Sequence, residues 1–203
     1  MLIMLRYTLK HISANISIIF LLLGYLLLTP HILPRPHIFA LPLLVFWTSQ
    51  LIDASDNKSA PTLQLTVIMI LWVNMHGSFI LGIALCFFFA VESIFNATSS
   101  TIRTNLAKQW SKYITFSILS VLINPHFSNT YILPLHLTSQ SYAISLVTEW
   151  ASPNFHQVQP LEIWLLSLLL LCFTLGIKLP LFRMIFLLGL IHLSLKHIRH
   201  SAD

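Results

Sequence analysis

Long apolar runs alternate along this chain with shorter polar segments, and most of these runs are long enough to form helices. Proline, polar or basic residues separate neighbouring runs, as expected for turns between helices. The pattern predicts an all-α fold, a polytopic integral membrane helix bundle of about six to seven spans. We expect one transmembrane domain over residues 1–203. The predicted spans are Ile12–Thr29, His37–Ile52, Ala60–Val73, Ser78–Phe95, Tyr113–Ile123 (starting as early as Leu106), Pro160–Ile177 and Leu181–Leu195.

One polar hexad, Trp72–Gly77, interrupts the longest apolar block, which extends over 34 residues from Thr62 to Phe95. As a single helix this block would be roughly 51 Å long, whereas the hydrocarbon core of a membrane is about 30 Å thick. Asn74 and His76 are costly in lipid, and Gly77 adopts turn conformations easily, so we expect the block to break there. The prediction is a hairpin of two membrane segments with a polar tip.

Composition narrows the class of protein. Hydrophobic residues make up 56% of the chain and charged residues only 8%, against about 25% charged residues in a typical soluble domain. We therefore predict an integral membrane protein in contact with membrane lipid. Positive residues placed between membrane spans explain the net charge of +5 better than nucleic-acid binding does. Cys86 and Cys172 lie 86 residues apart inside apolar runs, so the sequence predicts no metal site, and we predict no cofactor.

The distribution of Lys and Arg predicts the topology. With the N-terminus in the cytoplasm and the block split at the hexad, eight basic residues fall inside and three outside. A single crossing from Thr62 to Phe95 would place five inside and six outside, so the positive-inside rule favours the split. Asn96–Lys112 is then a polar linker in the cytoplasm. Eight of the ten histidines fall on the outer face: His31, His37, His76, His126, His136, His156, His197 and His200.

The outer face collects side chains that suit a polar headgroup carried by a lipid. His76 is a candidate catalytic residue because imidazole shuttles protons near neutral pH. Asn74 can bind a sugar or phosphate through hydrogen bonds. Both side chains can equally cap the two broken helix ends. Trp72 and Trp150 can stack on a sugar ring or anchor the chain at the membrane interface.

Charged residues are few on this face. Arg35 stands between two prolines, and its planar guanidinium suits phosphate binding or contact with lipid headgroups. Glu149 is the one acid in the outer segment Asn124–Gln159, so it is the candidate catalytic acid or base. The alternatives for Glu149 are an ion pair with Arg35 and a role at a helix start. His156, seven residues later, is a candidate substrate ligand.

Several short motifs in one order resemble a family. Residues 72–82 (WVNMHGSFILG) are similar to the W-x-N-x-H-G-x-F-x-x-G stretch of large bacterial multi-pass proteins related to C-type glycosyltransferases, which use polyprenyl-phosphate-linked sugars. The resemblance implies a location in the bacterial inner membrane. It also implies sugar transfer at the outer face, by an inverting attack with a carboxylate as base. The other motifs are RPHIF at 35–39, LINPHF at 122–127, EWASPNFH at 149–156 and LKHIRH at 195–200.

The chain departs from this family in one loop. Glycosyltransferases of this kind resemble one another in carrying an acid in the first outer loop, and His31–His37 contains none. The motifs also look like a middle section of a longer protein, so we expect an internal fragment that lacks its catalytic acid.

Two functions remain open. The first is a glycosyltransferase-like protein that handles a polyprenyl-phosphate sugar, inactive as a truncated chain unless Glu149 serves as the base. The second is a non-enzymatic subunit or remnant that packs against a partner membrane protein. A transporter ranks third, because few ionisable residues lie within the predicted spans.

Overall fold

The computed structural model describes residues 2–10, 12–29, 37–132, 154–176 and 179–196. Every regular element in these ranges is a helix, so the predicted all-α class is confirmed. A 3-10 turn, Leu63–Leu65, precedes the fourth α-helix. The α-helices are α1 (Leu2–Thr8), α2 (Ala14–Leu28), α3 (His37–Asp56), α4 (Thr66–Met75), α5 (Phe79–Phe95), α6 (Ser100–Val121), α7 (Pro160–Leu175) and α8 (Leu181–Lys196).

The chain divides into two compact units. The first unit comprises Met1–Leu33 and Gln140–Asp203, and in it α2 packs against α1 and α7. The second unit comprises Pro34–Ser139 and contains α3 to α6, which pack against one another around a common core. The single domain expected over residues 1–203 stays a prediction. The hexad that the sequence singled out belongs to the second unit.

A cluster of aromatic side chains forms the centre of the second unit. Trp47, Trp72 and Trp110 are fully buried, and so in effect is Tyr113. The Trp47 ring lies 6.4 Å from Trp72 and 5.9 Å from Tyr113, measured between ring centroids, and Trp110 meets Tyr113 edge-on at 6.1 Å. The indole Nε1 of Trp47 donates to the carbonyl of Gly82 at 3.0 Å. These contacts join α3, α4, α5 and α6 in one core.

The chain reverses direction between α4 and α5. Gly82 of α5 lies so close to α4 that an added Cβ would come within 2.6 Å of a Trp72 ring carbon and 3.2 Å of the Met69 methyl group. In one continuous helix, residues 69 and 82 would be about 20 Å apart along the axis. The predicted break and the hairpin that follows from it are therefore present.

The four helices of the second unit alternate in direction. The side-chain amide of Asn74, near the end of α4, donates to the carbonyl of Ile123, just after α6, at 2.9 Å. Ser55 near the end of α3 donates to Glu92 near the end of α5 at 3.0 Å. Thus α4 and α6 finish at one end of the unit, and α3 and α5 finish at the other. We call the first the tip end (residues 72–79 and 121–132) and the second the foot end (residues 53–60 and 92–97).

Helix α6 starts earlier than the sequence pattern suggests. Asn96–Lys112 was expected to be a polar linker, and this prediction is wrong from Ser100 onward, where α6 begins. The Ser99 hydroxyl caps the helix by accepting from the N–H of Ile102 at 3.2 Å. Only one stripe of the helix faces the core, so high average polarity is compatible with a helix here. The buried positions along it are Leu106, Trp110, Tyr113, Ser117, Ser120 and Val121.

One described helix, the 19-residue segment Ile38–Asp56, is long and apolar enough to cross a membrane by its length and composition. The helix ends at Asp56, four residues beyond the predicted limit of Ile52. The finding supports one membrane-spanning helix, and the count of about six to seven spans stays a prediction. Apolar helices of 10 to 17 residues lie at Ala14–Leu28, Leu63–Met75, Phe79–Phe95, Pro160–Thr174 and Leu181–Leu195.

Candidate functional site

The turn between α4 and α5 consists of His76, Gly77 and Ser78. His76 leaves helical geometry with an extended backbone (φ −159°, ψ 144°), while its N–H still closes α4 on the Trp72 carbonyl at 3.0 Å. The carbonyl of His76 accepts from the N–H of Phe79 at 3.4 Å, at the start of α5. The break falls at the predicted position, and Gly77 is not among the residues with positive φ. The extended conformation of His76 makes the turn.

A short hydrogen-bond chain links Trp72, Ser78 and His76. The indole Nε1 of Trp72 donates to Ser78 Oγ at 3.0 Å. Ser78 Oγ lies 2.8 Å from His76 Nδ1, and the Ser78 N–H donates to the same nitrogen at 3.1 Å. Because Nδ1 accepts from the Ser78 N–H, it carries no proton, so the Ser78 hydroxyl donates to it and we assign the ring proton of neutral His76 to Nε2. These hydrogen bonds therefore hold His76 in one orientation and one tautomer.

Trp72 has a different role from the one expected of it. It is 0% exposed and packs edge-on against Trp47 in the core. A ring in this position contacts neither a ligand in the cleft nor lipid. Trp72 acts on the turn through Ser78, whose hydroxyl it holds in place for His76.

Asn74 is exposed, and its amide joins two elements. Nδ2 donates to the carbonyl of Ile70 within α4 at 2.7 Å and to the carbonyl of Ile123 after α6 at 2.9 Å. Both amide hydrogens are used in these two bonds, so a ligand can reach Asn74 only through Oδ1. The geometry favours the alternative in which Asn74 satisfies backbone groups at helix ends.

The segment after α6 folds over the tip of the hairpin. Asn124 Oδ1 accepts from the N–H of His126 at 2.7 Å and from the hydroxyl of Thr130 at 2.6 Å, which fixes the turn that begins Asn-Pro-His. The ring of Tyr131 then packs edge-on against Phe79 of α5, with centroids 6.2 Å apart. Together these contacts hold residues 124–132 against the start of α5.

A cleft of about 670 Å³ lies between the hairpin tip and this segment. Its volume is within the range of small-molecule sites, about 300–1,000 Å³. Asn74, which was expected to bind substrate, and His76, which was expected to be catalytic, both line it. The described residues that line it are Val73, Asn74, Met75, His76, Gly77, Phe79, Asn124, Pro125, His126, Asn129, Thr130 and Ile132.

The described lining of the cleft is mainly apolar, with a few hydrogen-bonding groups and no permanent charge. None of its described lining residues is Lys, Arg, Asp or Glu, and two imidazoles are its only titratable side chains. Amides, a hydroxyl and imidazoles can exchange hydrogen bonds with a hydroxyl-rich ligand, but these residues supply no carboxylate base. Over the described ranges, His, Cys, Asp and Glu side chains form no group of three or more that could hold a metal ion.

The remaining predicted site residues are not brought to this cleft by the described part of the chain. Arg35, Glu149 and Trp150 lie outside the described residues, so their roles stay predictions. His156 belongs to the first unit, where its N–H donates to Asn154 Oδ1 at 3.1 Å in the turn before α7.

The sequence pattern does not mark Asn129 and Thr130 as site residues. The motif Asn124–Phe127 gave a partial signal, because polar residues with a proline follow the end of an apolar run. No local pattern shows, however, that the next residues turn back over the hairpin. That depends on the contact between Tyr131 and Phe79, which are 52 positions apart.

Comparisons with protein-family models, with curated proteins and with solved structures find no match to this chain.

Proposed function

We propose that the chain is a multi-pass protein of the bacterial inner membrane, with about six to seven spans and with the foot end of the second unit in the cytoplasm. The charged residues of the second unit support this orientation. Among residues 37–132 the tip end carries no charged residue, while Lys58, Arg103 and Lys108 lie at or beyond the foot end, and Lys112 lies one turn further along α6. Lys and Arg collect on the cytoplasmic side of membrane proteins.

Exposed apolar side chains support contact with lipid. On α7 of the first unit, Leu170 and Phe173 are 64% and 82% exposed, and apolar neighbours on the same helix are exposed with them. Water would make such a surface unfavourable, whereas hydrocarbon satisfies it. The shorter apolar helices of 15 to 17 residues span about 23–26 Å, and flanking residues or local thinning of the bilayer supply the rest.

Within this membrane protein, the function that we propose is the handling of a polyprenyl-phosphate-linked sugar at the outer face. The observation that carries it is the cleft at the tip end, whose described lining is uncharged and offers hydrogen-bonding groups, and which this orientation would put at the outer interface. The motif at residues 72–82, which resembles glycosyltransferase-related proteins, forms one wall of that cleft. In this proposal His76 and Asn74 Oδ1 contact the sugar. The predicted carboxylate base remains Glu149, which lies outside the described residues.

The sequence predicts three further substrate-binding residues, Arg35 for the phosphate together with Trp150 and His156, and these roles stay predictions. Trp72 has no direct contact in this proposal, since it is buried behind Ser78.

Sugar transfer from a polyprenyl-phosphate donor in proteoliposomes tests this function. We expect the wild-type chain to transfer sugar, Glu149→Gln to lose at least about a hundredfold in rate as expected for a general base, and His76→Ala to lose activity as well. Glu162→Gln, which removes a carboxylate in the first turn of α7, is the matched control and should retain activity. Equal rates for wild type, Glu149→Gln and His76→Ala would remove both residues from the mechanism.

A second candidate is a non-enzymatic subunit that packs against another membrane protein. It is favoured by one observation: the described cleft holds no carboxylate that could act as a base. This candidate predicts that the purified chain transfers no sugar from any donor. It also predicts a complex with a partner membrane protein of fixed stoichiometry, which Glu149→Gln leaves intact.

A further inference from the structure

We propose that the cleft at the tip end takes an uncharged, hydroxyl-rich glycosyl group, and that the phosphate of the donor stays outside it. This inference rests on the proposed function and specifies which part of the lipid-linked donor the cleft recognises. It also predicts a selectivity, because sugars with a carboxylate would be excluded.

Neutral hydrogen-bonding groups converge on the cleft. Asn129 lines the cleft and is exposed; its backbone N–H bonds the carbonyl of His126 at 3.1 Å, and its side-chain amide has no hydrogen-bond partner among the described residues. His126 is likewise exposed and lines the cleft. Across the cleft, Asn74 offers only an acceptor, because both of its amide hydrogens are used. An amide and an imidazole on one side and a carbonyl oxygen on the other match the donor and acceptor pattern of sugar hydroxyls.

Apolar side chains line the remaining wall. Met75 and Ile132 are 37% and 51% exposed, and both line the cleft together with Phe79. A sugar ring presents C–H groups on its faces and hydroxyls around its rim. A cleft with apolar walls and a few placed polar groups can therefore hold it in one orientation.

A charged group would bind less favourably in this cleft. A carboxylate or phosphate loses hydration on entering the cleft, and no described Lys or Arg lines it to compensate. The described basic residues of this unit lie toward the opposite end, with Arg103 and Lys108 on the first half of α6. No described side chain in the cleft thus offsets the cost of desolvating an anion.

Binding to the full chain in lipid nanodiscs, at about pH 8 where an imidazole is ordinarily neutral, tests the inference. The probes are a polyprenyl phosphate that carries a neutral hexose, the same lipid with the corresponding hexuronic acid, and the same lipid without sugar. We expect the hexose compound to bind at least about tenfold more tightly than the other two. Asn129→Ala should weaken its binding about threefold to tenfold, whereas the neighbouring Ser128→Ala, which lies outside the lining, should not.

The outcomes separate the inference from the proposed function. Equal binding of the hexuronic acid compound, or of the lipid without sugar, would overturn the inference and leave a lipid-phosphate function standing. Equal affinity of Asn129→Ala and wild type for the hexose compound would also overturn it. Binding of none of the three lipids would overturn the proposed function and the inference together.

Discussion

At the scale of single residues, Asn74 shows how a side chain at a helix break acts on the cleft indirectly. Its amide donates to two carbonyls, one within α4 and one just after α6, so it ties the hairpin tip to the segment that begins at Ile123. That segment supplies half of the described residues that line the cleft. Asn74 is therefore a clamp between two walls of the cleft as well as a surface that a ligand can touch.

Replacing Asn74 tests this clamp. Asn74→Ala should lower the free energy of unfolding in detergent by about 1–3 kcal/mol, since two hydrogen bonds of about 0.5–1.5 kcal/mol each are lost. Asn74→Asp should cost at least as much at neutral pH, because a carboxylate has no hydrogen to donate to the two carbonyls. Asn105→Ala, at an exposed position of α6, is the matched control and should change stability little. A stability of Asn74→Asp equal to that of wild type would show that the clamp is not formed.

At the scale of elements, the packing of α4 on α5 depends on the glycine at position 82. The Trp72 ring occupies the space that any larger side chain would need, and Trp47 bonds the carbonyl of the same residue. Gly82 thus allows two tryptophans from different helices to meet the backbone of α5. The ring of Trp72 must stay in place for its Nε1 to hold Ser78, so helix packing and the turn at His76 are coupled.

Substitution of this glycine has a clear expected result. Gly82→Ala places a methyl group within 2.6 Å of a Trp72 ring carbon, and overpacking of this kind costs about 1–3 kcal/mol. Gly189→Ala in α8 is the matched control, because nothing lies within 4 Å of its added Cβ. Thermal unfolding in detergent should show a lower midpoint for Gly82→Ala and an unchanged or raised midpoint for Gly189→Ala. The reverse order would contradict the close approach of α4 and α5.

The sequence pattern predicts the helices better than their ends. The block from Thr62 to Phe95 is too long for one crossing, and the break falls at His76, where polar residues interrupt it. The average polarity of Asn96–Lys112 indicates a linker where the structure has a helix from Ser100 onward. The buried stripe of α6 is visible only in the spacing of Leu106, Trp110 and Tyr113. Composition alone hides a helix whose exposed face is polar.

The candidate site is harder to predict than the helices. Asn74 and His76 stand out because they are polar in an apolar block, so sequence reasoning finds them. The expected position of Trp72 differs from its buried position in the structure, because the sequence pattern does not distinguish a tryptophan at a membrane interface from one in a core. Asn129 reaches the cleft only through tertiary contacts of its neighbours, and a single sequence contains no sign of those contacts.

At the scale of the whole molecule, the described part of the second unit has two chemically different ends. The tip end combines the cleft with an absence of charged residues, and the foot end holds the buried Glu92 at 1% exposure, hydrogen-bonded to Ser55. This asymmetry is the basis for the orientation that we propose, and the orientation in turn places the cleft at the outer face. The proposed function depends on both.

Accessibility of single cysteines from the two sides of the membrane tests the hairpin and the orientation together. The background carries Cys86→Ala and Cys172→Ala, and a membrane-impermeant maleimide is applied to right-side-out and inverted vesicles. We predict that Gly77→Cys and Asn129→Cys react from the periplasmic side only, and that Lys58→Cys and Lys108→Cys react from the cytoplasmic side only. Reaction of positions 77 and 129 from opposite sides, or of positions 77 and 58 from the same side, would contradict the account.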